Sequence, residues 1–448
     1  MRGVEVASLS MALPTIRVDR VRSMATFSPL DWFRAASAKP TCRTALSNRA
    51  SLDEAVQDVT DQLGRRGDAD LALVFASVGY ASDLPRLLPM LRSRLKARLW
   101  IGCAGGGVIG TTAGGTASEL EQTAALSVTL LGLPGVELEA SALTTDNLPD
   151  LDGSAQSWQE WTGIEPTRCR SQIVLIDPTS TTINDLISGL DYAYPAAGKI
   201  GGIACPHNAP HGSLFLNDQV LTGAVVCSIG GDWTLDTVVA QGCRPIGPVF
   251  AIEQVQRNVL LELSHGERRG SPVACLQEVL ADLTDQERDL VRHSLFLGIE
   301  RRDLQLMADG TRRDGGAFLV RNLIGVDPSN GAVAVADKVR PGQNVQFQLR
   351  EAEASRQDAL MLLREAAGQD REGTQAHFGL LMACLGRGKG LFGEADGDVS
   401  LARTVMPGLP VAGAFCNGEI GPVAGATHLH GYTACWGLLR QIPSPTDD

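Results

Sequence analysis

Apolar, small-residue runs that end in glycine-rich polar turns recur along this chain, and they constrain its fold more than any other feature. The run VAGAFCNGEIGP over 411–422 enters through small apolar residues, turns at Cys416, Asn417, Gly418 and Glu419, and leaves through Gly421 and Pro422. An unbroken apolar entry of this kind suits a strand covered on both faces. A turn stripped of side-chain bulk lets backbone N–H groups approach whatever they face. Upstream, LMACLGRGKGLF over 381–392 is a second apolar run ending in glycines, with Arg387 and Lys389 set between them. Side by side, two such strands bring their loops to one edge of a sheet, where α/β proteins hold ligands.

The same order of elements occurs earlier. Residues 71–76 are a continuous β-prone run, 82–95 have helical character, and 99–101 return as a strand into Gly102, Gly105, Gly106 and Gly107, closing at Ile109 and Gly110. A capped helix over 51–63 precedes this unit, with Ser51 and Glu54 in capping-box spacing and Gly64 as the stop. A middle copy runs through a strand at 173–176, a helix at 183–190 and the glycine-rich GKIGGIA at 198–204; residues 214–216 and 224–229 then read as a hairpin about Asn217 and Asp218. The third copy spans 378–421. An offset of 311 residues lays Gly110 on Gly421 and also places Gly102 on Gly413, Gly107 on Gly418 and Ile109 on Ile420. In that alignment Gly105 and Gly106 stand where the third copy has Cys416 and Asn417. The C-terminal copy is therefore expected to hold the chemistry and the N-terminal one to supply close backbone approach.

Between the copies, Gln241, Gly242, Cys243 and Arg244 form a tight loop before Pro245. Residues 275–283 and 285–291 are helical by period. Residues 259–263 read as a second hairpin arm; runs at 318–320, 333–335 and 345–349, with a turn at Pro341 and Gly342, read as meander-like β, and 352–366 as an amphipathic helix. The fold class is mixed α/β (α+β): two related halves of repeated strand–helix–strand–glycine-loop units with meander segments.

A formal charge of −12 argues against a nucleic-acid partner, because neutralising phosphates requires a basic face. No apolar run reaches the length of a membrane span. The cysteines, Cys42, Cys103, Cys169, Cys205, Cys227, Cys243, Cys275, Cys384, Cys416 and Cys435, stand singly without a C-x-x-C pair, which suits a reducing compartment. Over 1–43, Arg2, Arg17, Arg20, Arg22, Arg34, Lys39 and Arg43 outnumber Glu5, Asp19 and Asp31. This segment is either an organellar (plastid) transit peptide or an untargeted disordered leader; without one the chain would be cytoplasmic. Residues 441–448 read as a disordered tail.

Four groupings bear on chemistry. Arg387, between Gly386 and Gly388, offers a planar fork to a carboxylate, Glu419 an acceptor for an ammonium, and Asn417 a partner for either; the alternative is an Arg387–Glu419 pair holding two loops together. Cys416 and His430 could form a thiol–imidazole pair, against inert burial of the thiol. Cys205, His207 and His211, and separately His428 and His430, lack the convergent spacing of a zinc site. The triplet Gly105, Gly106, Gly107 has neither the lysine nor the hydroxyl of a phosphate loop, and close packing explains it equally well. No cofactor and no metal are expected.

Taken together, RNLIGVDPSNGAVAVADKVRPGQNVQFQLREAE (321–353), CLGRGKGLFGE (384–394), FCNGEIGP (415–422) and LHGYTA (429–434) resemble the C domain of the FIST family (F-box and intracellular signal transduction proteins). Similarly, ALSNRASLDEAV (45–56), LALVFAS (71–77), IGCAGGGVIG (101–110) and VVAQGCRPIGP (238–248) resemble its N domain. The resemblance implies an N domain over 44–250, a C domain over 251–440, and an intracellular module that senses a small polar ligand such as an amino acid. The expected ligand contacts are Arg387, Gly388, Cys416, Asn417, Gly418, Glu419, His430, Gly105, Gly106 and Gly107. An adaptor of ubiquitin-ligase proteolysis is the alternative, although nothing before Thr44 has the pattern of an F-box. A cysteine-dependent enzyme is third.

Overall fold

The computed structural model describes residues 39–64, 67–301, 317–368 and 374–442. The expected leader lies almost wholly outside the described residues, as does most of the expected tail. Among the described residues no helix is long and apolar enough to cross a membrane.

The architecture is mixed α/β, and its repeated unit occurs three times. Strands Ala69–Ser77 and Ala97–Gly105 run parallel, joined by helix Leu84–Arg92. Strands Ser171–Ile176 and Gly198–Ile203 do the same through helix Ile183–Ala193. Strands Ala376–Cys384 and Val411–Cys416 repeat it through helix Gly397–Val405. One glycine holds the same register in each pair: Gly102 opposite Val74, Gly201 opposite Val174, Gly413 opposite Leu381. A Cβ at any of the three would stand 1.7 Å from the carbonyl oxygen of its partner, so these positions admit only glycine.

Each unit sends its next strand to a neighbour. Gly107–Thr111 pairs with Val411–Cys416 of the third unit, Glu419–Val423 with Gly198–Ile203 of the middle unit, and Leu214–Leu216 with Ala97–Gly105 of the first. The exchange is cyclic and yields three six-stranded sheets of one design. It also corrects the expected hairpin. Leu214–Leu216 turns back onto Gln219–Leu221, while Ala224–Gly231 joins Ser171–Ile176 and Val136–Leu143 in another sheet. Short alternation fixed the strands but not their partners.

The three sheets turn one face each toward a shared core that includes Phe75, Leu175, Leu380, Met382 and Cys416. Their outer faces bury helices, for example Leu87 and Leu91 on the first sheet and Leu186 and Leu190 on the middle one. Each such leucine contributes roughly 1.5–3 kcal/mol by burial.

Residues 243–350 form a fourth sheet, and here the meander closes on itself. The long strand Cys243–Gln256 pairs at its start with Asn344–Arg350 and at its end with Val259–His265. Leu295–Arg301, Ala317–Val326 and Val333–Val335 complete the ring. Ile246, Phe250, Leu263, Leu297, Ile299 and Phe347 fill this barrel, with Cys275 and Val279 of helix Pro272–Ala281.

Candidate functional site

The tips of the second strands meet. Gly106 N–H donates to Phe415 O at 3.0 Å, Asn417 N–H to Ile203 O at 2.9 Å, and Cys205 N–H to Ala104 O at 2.9 Å, a closed ring through all three units. Gly105 and Gly106 serve this packing. Added Cβ atoms would meet Ala414 Cβ at 2.9 Å and Leu385 Cδ2 at 2.2 Å; at Gly107 one would meet Leu120 O at 2.6 Å. Gly418 accepts from Ile203 N–H, and Asn417 is exposed.

Arg387 is fully buried, and its fork is filled. Nε and Nη2 donate to the two carboxylate oxygens of Asp398 at 2.8 and 2.6 Å, and Nη1 to Tyr432 O at 3.3 Å. The expected alternative, a pair with Glu419, is corrected: the partner is Asp398, presented by the first turn of helix Gly397–Val405. Burial works against the Arg387 charge, but Asp398 outweighs it and the guanidinium is held above its usual range. Glu119, from the exchanged hairpin of the first unit, braces the arrangement. Its Oε1 accepts from the Asp398 and Val399 N–H groups at 2.9 and 2.8 Å, the helix N-terminus that favours a carboxylate. Burial nevertheless raises the Glu119 carboxyl to about 8, with Asp398 adding to it. Glu121 caps the neighbouring turn through Lys389 N–H at 3.0 Å, and a Cβ on Gly388 would strike its carboxylate at 2.3 Å.

Glu419 is also sealed. Oε2 accepts from Thr433 N–H at 3.1 Å, Oε1 has no partner, and burial pushes the carboxyl well above its usual value. Cys416 is fully buried; burial, with Cys103 and Glu419 nearby, raises its thiol far above the ordinary range, and Sγ donates to Ala414 O at 3.6 Å. His430 Nε2 lies 3.0 Å from Gly421 O and Nδ1 is unpartnered; burial lowers the imidazole to about 3. Cys416 and His430 thus each bond elsewhere. The rings of His207 and His211 are 5.0 Å apart, and among the described residues no three His, Cys, Asp or Glu side chains are grouped to hold a metal.

Two places that sequence reasoning missed lie along the seam between the barrel and the three-sheet body. At one, Arg350 lies with its guanidinium carbon 4.0 Å from the Tyr432 ring centre and 5.8 Å from that of Phe296, and Nη1 donates to Gly386 O at 3.1 Å. At the other, a cleft of about 480 Å3 opens between the barrel and the hairpin of Glu419–Val423 and Ala426–His430. Glu300, Arg301, Arg340 and Gly342 line it from the barrel, Ala424 and His428 from the hairpin. Ala424 and Gly425 both have positive φ, as the tight two-residue turns of hairpins require. The hairpin's foot is anchored where Asp191 accepts from Thr427 N–H and Oγ1–H, each at 2.6 Å, and pairs with buried Lys199 at 3.0 Å. On the barrel side, Arg301 and Arg321 share one oxygen of Asp337, at 2.7 and 2.8 Å. Burial lowers His428 to about 4, with Arg321 and Arg301 adding to the effect. The sequence signals for this cleft were the turn at Pro341 and Gly342, which places Arg340 at its rim, and His428, weighed there only as a zinc ligand.

Comparison with known proteins adds a family likeness. The profile of the FIST N domain matches residues 70–266 and that of the FIST C domain residues 272–422. The uncharacterized protein Rv0628c of Mycobacterium tuberculosis is 33% identical over 398 residues, covering 88% of this chain and 97% of the relative. The uncharacterized protein Mb0898c of Mycobacterium bovis is 36% identical over 268 residues, covering 60% of this chain and 67% of the relative.

Proposed function

This chain belongs to the FIST family, and from that premise we propose that it is an intracellular sensor binding a small polar, amino-acid-like ligand in the cleft between barrel and hairpin. FIST domains are associated with signal transduction and small-ligand sensing. The observation that carries the choice of place is the charge of the cleft. Arg301 and Arg321 divide a single Asp337 carboxylate, and Arg340 makes no ion pair among the described residues. That leaves a positive surplus in a chain whose formal charge is −12, and a ligand carboxylate would relieve it. Glu300, hydrogen-bonded by Asn344 Nδ2 at 2.8 Å, lies on the same wall. Arg387, by contrast, has its fork closed on Asp398 and Tyr432 O, and Glu419 is fully buried, out of a ligand's reach.

A ligand in the cleft would touch the barrel and a hairpin that belongs to the middle unit's sheet. Contacts made only when the two stand close would shift their equilibrium, the physical requirement for a signal. Ten free cysteines support a reducing, intracellular setting. The test is a thermal-shift screen of amino acids and small organic acids. At least one zwitterion should raise the melting point of the wild type, and Arg340→Ala with Arg301→Ala should abolish the rise. A panel without a single stabilising compound, or a hit that persists unchanged in the double variant, would overturn this reading.

A further inference from the structure

The cleft has two walls of unequal chemistry. The barrel lines it with Glu300, Arg301, Arg340 and Gln343. Of the hairpin residues that line it, Val423, Ala424, Ala426 and His428, only His428 has a side chain able to hydrogen-bond. Any side-chain bond from the hairpin to a ligand therefore runs through this imidazole. Nothing in the protein competes for it. His428 makes no hydrogen bond or ion pair among the described residues, its one ring neighbour is His430 at 6.2 Å, and neither of its ring nitrogens is shut away from solvent. His430, two residues along the same strand, instead meets Gly421 O and keeps Nδ1 buried.

The groups around His428 keep its ring neutral while the cleft is empty. Burial acts first and Arg321 and Arg301 add to it; Asp337 and Asp191 pull the other way without overcoming them, and the imidazole titrates at about 4. Both acids are already engaged, Asp337 by the two arginines and Asp191 by Thr427 and Lys199. Arg340 and Glu300 face the same space from the barrel. A carboxylate drawn in by Arg340 and Arg301 would give His428 an anion of its own, and an opposite charge within about 4–6 Å favours the protonated ring.

We infer that His428 is the hairpin's ligand contact and takes up a proton as a carboxylate enters, so that the cleft binds the anion together with one hydrogen ion and holds it more tightly in acid. This rests on the reading of the cleft as the ligand site. The proton comes from solvent, and the imidazolium donates to the carboxylate while Arg340 holds it from the barrel. One anion is then gripped by a cation on each wall, which ties the hairpin to the barrel only when ligand and proton are both present.

The experiment follows the histidine Cε1–H signals of the full chain by NMR, with sodium formate as probe and sodium chloride at matched ionic strength as control; formate stays ionised between pH 7 and 5. His428→Gln identifies the His428 signal. In chloride this signal should stay that of a neutral ring over the range, and with formate its midpoint should rise from about 4 to about 6. The formate dissociation constant, read from the same spectra, should tighten about tenfold from pH 7 to 5 in the wild type and hardly change in His428→Gln. Arg340→Ala should weaken formate at both pH values and keep the slope. Calorimetry of the wild type at pH 5, in two buffers of different ionisation heat, needs no variant and should show most of a proton taken up for each formate bound. The two readings fail differently. Formate that Arg340→Ala weakens, but that binds with no proton uptake and the same pH slope in His428→Gln, leaves the cleft as the ligand site and overturns this inference. Formate that moves the His428 signal no more than chloride does overturns both.

Discussion

Two arginines converge on Tyr432 and are treated in opposite ways. Arg387 donates to its carbonyl and turns its two other nitrogens to Asp398, completely out of water. Arg350 stacks on its ring and ends at a neutral oxygen. One guanidinium ties its own loop to helix Gly397–Val405 and to the Tyr432 turn; the other, on the seam with the barrel, makes no ion pair among the described residues. The difference teaches that burial alone does not mark a site in this molecule. What distinguishes the seam is guanidinium groups that make no ion pair among the described residues, at Arg350 and at Arg340, and one Asp337 carboxylate divided between Arg301 and Arg321.

The largest effect should come from the closed side. Asp398→Ala strands the Arg387 charge in the core, and breaking a buried pair by removing one partner costs about 3–5 kcal/mol. Chemical denaturation of the variant measures it directly. A loss under 1 kcal/mol would mean that Glu119 or Glu419 takes over the guanidinium, and the contrast with Arg350 would collapse.

A smaller effect, of the same kind, follows from two histidines that divide between the regions. His430 lies in the closed part and His428 on the cleft wall, their rings 6.2 Å apart. Burial lowers both, to about 3 and about 4. Because the folded values lie below the ordinary 6.5, the unfolded chain binds protons first; the stability these groups contribute is complete above pH 6.5 and is lost as pH falls toward 4 and 3. For the buried His430 the loss at pH 5 is about 2 kcal/mol. Between pH 7 and 5 the urea midpoint of the wild type should therefore lose ground relative to that of His430→Gln. Glu119, raised to about 8, and Glu419, raised well above its usual value, act in the opposite sense over this range, so the difference between the two proteins carries the test. Parallel curves would show that His430 is not held neutral.

Much of this was legible in the residues, and the part that was not shares one cause. The parallel strands, their helices and the common register of Gly102 and Gly413 follow from local runs and a fixed offset. Ser51 caps its helix through Glu54 N–H as the spacing predicts. Pairings across hundreds of residues left no such trace. Thr111 Oγ1 donates to Val411 O, 300 positions away, and Glu119 caps a helix 279 positions on; nothing in either segment names its partner. The barrel was read as an open meander because the pairing that closes it depends on the bend in Cys243–Gln256, where the register shifts between Ile246 and Phe250. Asp398 was missed although it stands only 11 residues after Arg387, because GEADGDVS offers three acids and only the helix that begins at Gly397 selects one. Arg350 was invisible for the converse reason: a missing counter-ion shows only once its neighbours are known.

The smallest effect on stability should come from the open side, and there it is most informative. Arg340 is exposed and makes no ion pair among the described residues, so Arg340→Ala should move the unfolding free energy by less than about 0.5 kcal/mol, as substitutions of surface charges do. If its guanidinium receives a ligand carboxylate, the same change should weaken binding of the stabilising zwitterion roughly tenfold, the cost of one charge-assisted hydrogen bond. Titration calorimetry of wild type and variant with whichever zwitterion the thermal screen identifies checks both halves. An Asp398→Ala protein that still folds should bind with nearly wild-type affinity, because the closed knot only supports the scaffold. A variant pattern with these roles exchanged, affinity lost at Asp398 and stability lost at Arg340, would show that the ligand enters through the strand tips and that the seam is merely a joint.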